Sequence, residues 1–234
     1  MKPKVIVTTS WDDGHILDLK LAKLLVRHNL AATFYVSPED REFKPSDRLT
    51  SEQVRKLSTQ FEIGAHTLTH PRLPKIDDAA ATREIANSKT TLESMIGQKV
   101  TTFCYPGGAY NQTHVRMAQD AGYTYARTVD RFSYQVGDNR LAAPTTVHAY
   151  RHWSDLPRIA AIAGYNPVKT LRYLLNWDLL AIAMFDRVSK TGGVFHLWGH
   201  SWEIDANNDW SRLEHVMRHV SGRQNVSYLV NGAL

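Results

Sequence analysis

The chain has 234 residues, enough for one domain with a substantial core. Its 43% apolar and 22% charged content are those of an ordinary globular protein and exclude disordered and fibrous classes. The net charge of +5 is spread along the chain without a block of like charges, which argues against a nucleic-acid partner but suits an anionic substrate such as a phosphate-linked sugar. A single cysteine, Cys104, excludes an intrachain disulfide and is consistent with a reducing compartment. The first apolar run, Val5–Thr9, is too short for the core of a signal peptide. No stretch approaches the ~18 apolar residues of a membrane span. The expectation is a soluble, cytoplasmic chain.

Strand and helix signals alternate from the start. Lys4–Ser10 reads as a buried strand, and Leu17 to about His28 carries apolar residues at helical spacing before Asn29. Ala31–Val36 is a second strand, and Thr50-Ser51-Glu52-Gln53 predicts a capping box opening a helix to about Leu57. Phe61–Gly64 is a third strand. Asp77 and Gly97 bracket a long helix as N-cap and stop. Val100–Cys104, the helix Thr113–Ala121 and Tyr123–Thr128 continue the alternation. Residues 130–148 read as loop with a strand near Thr145–His148. Helices follow over Leu156–Ala163 and Val168–Lys190, then the strand Val194–Trp198, a helix from Asp209 to about His219, and a last strand Val226–Leu229. The pattern predicts an α/β fold in one domain, 1–234: a mainly parallel sheet, open or closed into a barrel. The leucines of 171–180 read as a helix packed on the sheet, with a homodimer contact as the alternative.

Two runs carry chemistry. Asp12 and Asp13 close the first strand in Ser10-Trp11-Asp12-Asp13-Gly14-His15, and His66 and His70 follow the third in Gly64-Ala65-His66-Thr67-Leu68-Thr69-His70-Pro71. Alone, the first is a common turn signal, and the second could be two histidines on a helix face. Pro71 and Pro74 argue against a helix there. Both runs lie at the C-terminal ends of predicted strands, where ligands gather in α/β sheets and barrels. One carboxylate and two imidazoles make a three-ligand metal site with open positions, leaving the second carboxylate free as a base.

These residues resemble the polysaccharide deacetylase family (carbohydrate esterase family 4, the NodB homology domain). Its T-F-D-D-G motif is matched by Ser10-Trp11-Asp12-Asp13-Gly14, and H-[ST]-x-x-H by His66-Thr67-Leu68-Thr69-His70. The resemblance implies a distorted (β/α) barrel with about seven mainly parallel strands. The resemblance implies that Asp13, His66 and His70 hold a divalent metal, usually zinc, and that Asp12 is the general base. Such a metal makes hydroxide available near neutral pH. Thr67 is either an orienting hydroxyl beside the ligands or plain turn chemistry.

Later motifs depart. R-x-P-[FY]-G appears as Cys104-Tyr105-Pro106-Gly107-Gly108, without the arginine that orients the base in the family; Arg127, Arg131, Arg140 and Arg151 are candidate replacements. Pro106 and Gly107 retain the backbone of the implied oxyanion site. Cys104 reads as a small buried residue at a strand end. L-x-I-x-L-H becomes Phe195-His196-Leu197-Trp198-Gly199-His200, placing His200 as the catalytic acid. His196, on the same face of a straight strand, is the alternative; His200 is preferred because it ends the strand. Gly199 is expected to enlarge the acyl pocket. Glu203 and Asp205 are candidates to orient His200, with Asp130 and Asp138 weaker. Trp198 and Trp202 suit a sugar ring, and His15 is placed to bond substrate or Asp13.

The expected function is a metal-dependent hydrolase removing an N-acyl group, foremost N-acetyl, from a sugar or glycoconjugate. An intracellular glycoside, nucleotide sugar or lipid-linked precursor is favoured over a mature wall polymer. The rivals are hydrolysis of another C–N bond, such as a cyclic or small amide, and a non-catalytic carbohydrate-binding relative.

Overall fold

The computed structural model describes residues 4–234. Among the described residues, eight strands form one sheet: β1 (Val5–Trp11), β2 (Ala32–Val36), β3 (Glu62–Ala65), β4 (Thr102–Cys104), β5 (Tyr125–Arg127), β6 (Val147–His148), β7 (Gly193–Gly199) and β8 (Val226–Tyr228). Every pairing is parallel, in the order β5-β4-β3-β2-β1-β7-β6. β1 is the hub. β7 pairs along its whole length, while its other edge is shared by β8 at Val5–Val7 and β2 at Thr9–Trp11. A parallel bridge from Arg127 to Ala143 links β5 to the segment entering β6 and curls the sheet toward closure. This is the distorted (β/α) barrel that the resemblance implies, and each of the eight strands read along the sequence has its counterpart.

The helices are α1 (Asp18–Arg27), α2 (Ser51–Leu57), α3 (Asp78–Ile96), α4 (Gln112–Asp120), α5 (Leu156–Ile162), α6 (Pro167–Leu175), α7 (Trp177–Thr191), α8 (Ser201–Ala206) and α9 (Trp210–Val220). The start and stop signals act as read: Thr50 and Gln53 close a reciprocal capping box on α2, Asp77 accepts from Ala80 N–H, and Gly97 ends α3 at φ 70°. The buried strands and the inner faces of the helices share one apolar core, from Val5 on β1 to Val220 on α9.

Two expectations change. The helix read over Val168–Lys190 is two, broken at Asn176, whose φ of −131° and ψ of 89° leave the helical region. The Asn176 side-chain amide and N–H both donate to Arg172 O, closing α6. The break lets Trp177 turn inward and donate its indole N–H to Asp209 at 2.9 Å. The second change is α8, a short helix beginning directly after His200, where no helix was expected.

Candidate active site

The site is built at the carboxyl ends of β1, β3, β4, β5 and β7. Asp13 follows β1 with φ 82°, and Thr67 and His70 in the turn after β3 each have φ 64°. Left-handed backbone at non-glycine residues costs about 1–3 kcal/mol each and persists where surrounding contacts over-determine it. Glu84 on α3 supplies such contacts, accepting from the N–H groups of Leu68 and Thr69 and from the Thr69 hydroxyl at 2.7–2.9 Å. The Thr67 hydroxyl donates to His66 O and accepts from His70 N–H at 3.1 Å, so this side chain shapes the turn.

The turn brings three side chains together. Asp13 Oδ1 lies 3.5 Å from His66 Nε2 and 3.4 Å from His70 Nε2. It is buried and has no hydrogen-bond partner among the described residues. Ligand atoms about 2.0–2.2 Å from a tetrahedral metal stand roughly 3.3–3.6 Å apart, so these three donors fit a small divalent cation. His66 Nδ1 faces Cys104 O at 2.7 Å; a carbonyl only accepts, so Nδ1 carries the proton and Nε2 presents its lone pair. Burial, with His70 nearby, pushes the His66 pKa down to about 4, keeping the imidazole neutral as a ligand must be. The other oxygen of Asp13 accepts the Trp202 indole N–H at 2.8 Å. Trp202 therefore orients this carboxylate from α8. Beside His70, Nδ1 has Glu42 Oε1 at 3.3 Å and Asp40 Oδ2 at 3.8 Å. Neither acid was singled out in the sequence, where they sit in an ordinary polar run after β2.

Asp12 is paired with Arg127, whose Nη2 contacts both of its carboxylate oxygens. Both side chains are buried. Arg127 leaves the end of β5 and lies with its guanidinium 4.6 Å from the Trp198 ring centre and 5.4 Å from that of Tyr35. Among the candidates to replace the motif arginine, it alone reaches Asp12. Arg131 pairs with Asp155, Arg140 donates to Thr124 O and Leu234 O, and Arg151 lies over Trp153. Burial alone would raise the Asp12 pKa, but Arg127, with His66 and His200, holds the carboxyl well below its usual range.

His200 directly follows β7, with Nε2 4.0 Å from both Asp12 Oδ2 and Asp13 Oδ2. Its Nδ1 meets Glu203 Oε2 at 3.1 Å, and the same oxygen is 3.1 Å from His148 Nε2. Burial works against the imidazolium, but Glu203 together with Asp13 and Asp12 raises the His200 pKa to about 9. Glu203 is held down at about 2 against its own burial, and burial drives His148 down to about 3. The His200–Glu203 pair favours the protonated form of His200 at neutral pH, with Nδ1 held by the Glu203 carboxylate. Asp205 bonds Lys20 and Trp210, Asp130 bonds Thr128, and Asp138 is exposed. His148 and Glu203 join His200 in a further cluster of metal-ligand types, in which Glu203 is hydrogen-bonded to His200 and in contact with His148.

The remaining expectations fall elsewhere. His196 points into the interior, bonded to Ser10 at 2.9 Å, with burial and Arg127 lowering its pKa to about 3. Trp198 stacks on His148 at 3.8 Å and is buried, a wall rather than an exposed sugar platform. His15 accepts Leu17 N–H and packs on Phe43. Gly199 does not open a pocket: a Cβ there would meet Ala149 Cβ at 3.1 Å and Trp11 at 3.3 Å. Cys104 is buried and its thiol pKa pushed up by burial, as for an inert residue. Pro106 and Gly107 form a single 3-10 turn after β4, Gly107 at φ 58° with Arg72 Nε 3.2 Å from where a Cβ would stand.

An all-parallel curled sheet with a carboxylate–histidine cluster at its carboxyl rim defines an α/β-barrel protein with an enzyme-like site. The sequence model of the polysaccharide deacetylase family matches residues 1–126, and the chain belongs to that family. Among curated proteins it is 27% identical over 126 residues to "Putative polysaccharide deacetylase YxkH" of Bacillus subtilis, covering 53% of this chain and 44% of that one. It is 25% identical over 123 residues to a peptidoglycan-N-acetylglucosamine deacetylase of Bacillus cereus, covering 51% and 42%. The chain thus spans less than half the length of these two relatives. A solved "putative polysaccharide deacetylase" from Mycobacterium smegmatis superposes with a TM-score of 0.67 at 16% identity, over 98% of this chain and 88% of that one. The Streptococcus pyogenes deacetylase PplD, solved with acetate, gives 0.55 at 23% identity over 58% and 62%. At these identities the structural likeness speaks for the fold.

Proposed function

We propose that this chain, acting as one catalytic domain, is a metal-dependent de-N-acylase whose substrate is an N-acylated, foremost N-acetylated, sugar or glycoconjugate. The observation that carries the reading is the convergence of Asp13, His66 and His70 around an unpartnered carboxylate oxygen, with Asp12–Arg127 on one side and His200–Glu203 on the other. Asp13, His66 and His70 would hold the metal, with zinc the best match to two imidazoles and one carboxylate. When bound, the metal supplies Lewis acidity that activates water near neutral pH.

The chain's own residues supply the rest. Asp12, kept ionised by Arg127, accepts a proton from the attacking water as a C–O bond forms at the acyl carbon. The backbone N–H of Gly107 is the donor proposed for the developing oxyanion; one such donor contributes about 2.7–4 kcal/mol to transition-state stabilisation. His200 gives its Nε2 proton to the leaving nitrogen as the C–N bond breaks, so one water and one amide become a carboxylic acid and an amine. Glu203 fixes the ring and favours its charged form; Trp202 and Cys104 O orient the ligands from behind.

The test is turnover of N-acetylated sugars with acetate as the measured product, alongside metal content. Asp12→Asn is expected to keep the metal and lose turnover; full activity in that variant would remove Asp12 as the base. Formate or ammonia release without acetate release would turn the reading to another C–N bond. Sugar binding without turnover would make the domain a binding relative.

A further inference from the structure

Apolar exposure in this molecule is concentrated in one place. Among the described residues, eight large hydrophobic side chains are exposed, and seven of them lie between Tyr150 and Leu175; Val26 is the other. Trp153 is 61% exposed, Tyr165 78%, Val168 77% and Leu171 54%. They belong to the hairpin formed by α5 and α6 and to the short turn that leads into it. The hairpin is two-faced. Ile159, Thr170 and Leu174 are buried, whereas Val168, Leu171 and Leu175, spaced three and four apart, make an outward stripe on α6. This outward stripe, together with the exposed Trp153 before α5 and Tyr165 before α6, marks an interaction surface.

Charge selects the partner. Residues 150–175 carry Arg151, Arg158, Lys169 and Arg172, all exposed, and a single acid, Asp155, which is buried and spent on Arg131 at 2.8 Å. Lys169 and Arg172 also line a groove of about 570 Å³ with Arg187 and Lys190, where Asp186 is the acidic member and meets His219 at 2.7 Å. Apolar and aromatic side chains ringed by cations that outnumber the one exposed carboxylate, Asp186, complement an anionic lipid surface, which takes the apolar groups below its headgroups and the cations among them.

We infer that the α5–α6 hairpin is a peripheral membrane-binding surface for anionic lipids. The surface is continuous with the site. Tyr150 packs on His148 and His152, and His148 shares Glu203 with His200. A bilayer seated on the hairpin lies beside the mouth of the site, within reach of a glycan carried on a lipid. Binding itself does not depend on the deacylase reading and is measured without turnover, so either can fail alone.

The experiment is flotation of the full chain with phosphatidylcholine vesicles, with and without phosphatidylglycerol. The wild type is expected to float only with the anionic vesicles and to be released by high salt. Val168→Glu/Leu171→Glu and the triple variant Arg151→Glu/Lys169→Glu/Arg172→Glu should each reduce partitioning by about tenfold or more. Val26→Glu, an exposed apolar change elsewhere, should bind as wild type. Circular dichroism checks that each variant is folded; if a multiple variant is not, Leu171→Glu alone carries the test. The inference is overturned if the wild type ignores anionic vesicles at low salt, or if the hairpin variants float like the wild type. It is also overturned if the chain is a stable dimer that Leu171→Glu dissociates, since the stripe then covers a second copy.

Discussion

Arg127 and Asp12 form a buried ion pair across the barrel interior, from the end of β5 to the end of β1, four strands apart in the sheet. The pair restores, from another strand, the cation that the altered Cys104-Tyr105-Pro106-Gly107-Gly108 run lacks. Truncating one partner leaves the other charge buried and alone. Arg127→Met is therefore expected to destabilise the fold by about 3–5 kcal/mol in denaturant unfolding. Asp12→Asn/Arg127→Met should recover part of that loss, and strict additivity in the double variant would refute the coupling.

The same pair has a pH signature. Arg127 keeps the Asp12 pKa below the ordinary carboxylate range, so in the wild type Asp12 is ionised from well below neutral pH upward. Without the guanidinium, burial dominates and the pKa rises. In Arg127→Lys, which keeps charge but loses the planar fork, the acid limb of kcat/KM should move to higher pH. An acid limb in its wild-type place would mean that Arg127 does not tune the base.

Glu203 is expected to set the opposite limb. His200, raised to about 9, is protonated at neutral pH and loses its proton as pH climbs through that value. Glu203→Gln removes the carboxylate charge, so burial pulls the pKa down and the alkaline limb of kcat/KM should fall toward neutrality. Asp205→Asn, which changes a residue engaged with Lys20 and Trp210, should leave that limb alone. Equal shifts in both variants would count against Glu203 as the specific partner.

Trp202 offers a test of ligand orientation. Trp202→Phe deletes the N–H given to Asp13 Oδ2 while keeping an aromatic ring. Loss of such a supporting bond typically weakens metal affinity by 10–100-fold, and about tenfold is expected here by zinc-chelator competition. Unchanged affinity would leave Trp202 a packing residue.

Metal removal should act through the same three ligands. Chelation of the wild type is expected to abolish turnover and to lower the melting temperature, because Asp13 Oδ1 then stays buried without a partner. Added zinc should restore both. His66→Ala should be inactive and insensitive to chelator; a chelator-dependent melting shift in that variant would place the metal elsewhere.

Local physics made much of this protein legible before its fold was known. Apolar runs of strand length, the Thr50–Gln53 capping box and the Gly97 stop are set by neighbours in the chain. So is the tight turn that presents Asp12 and Asp13 at a strand end. The His66–His70 turn could be placed after a strand because Pro71 and Pro74 forbid a long helix there. What the tertiary structure alone decided are partnerships between distant segments. Arg127 could be named among four arginines, but only the register of β1 to β5 aims it at Asp12. Trp202 and Glu203 reach the site because α8 turns back directly after His200, a six-residue helix too short to declare itself by periodicity. His196 and His200 share a face on a straight strand, yet one is sealed against Ser10 and the other ends at the rim, a difference of depth that no spacing encodes. Gly199, read from sequence as an opening, is filled by Trp11 and Ala149, because a missing side chain becomes a cavity only where nothing packs into it.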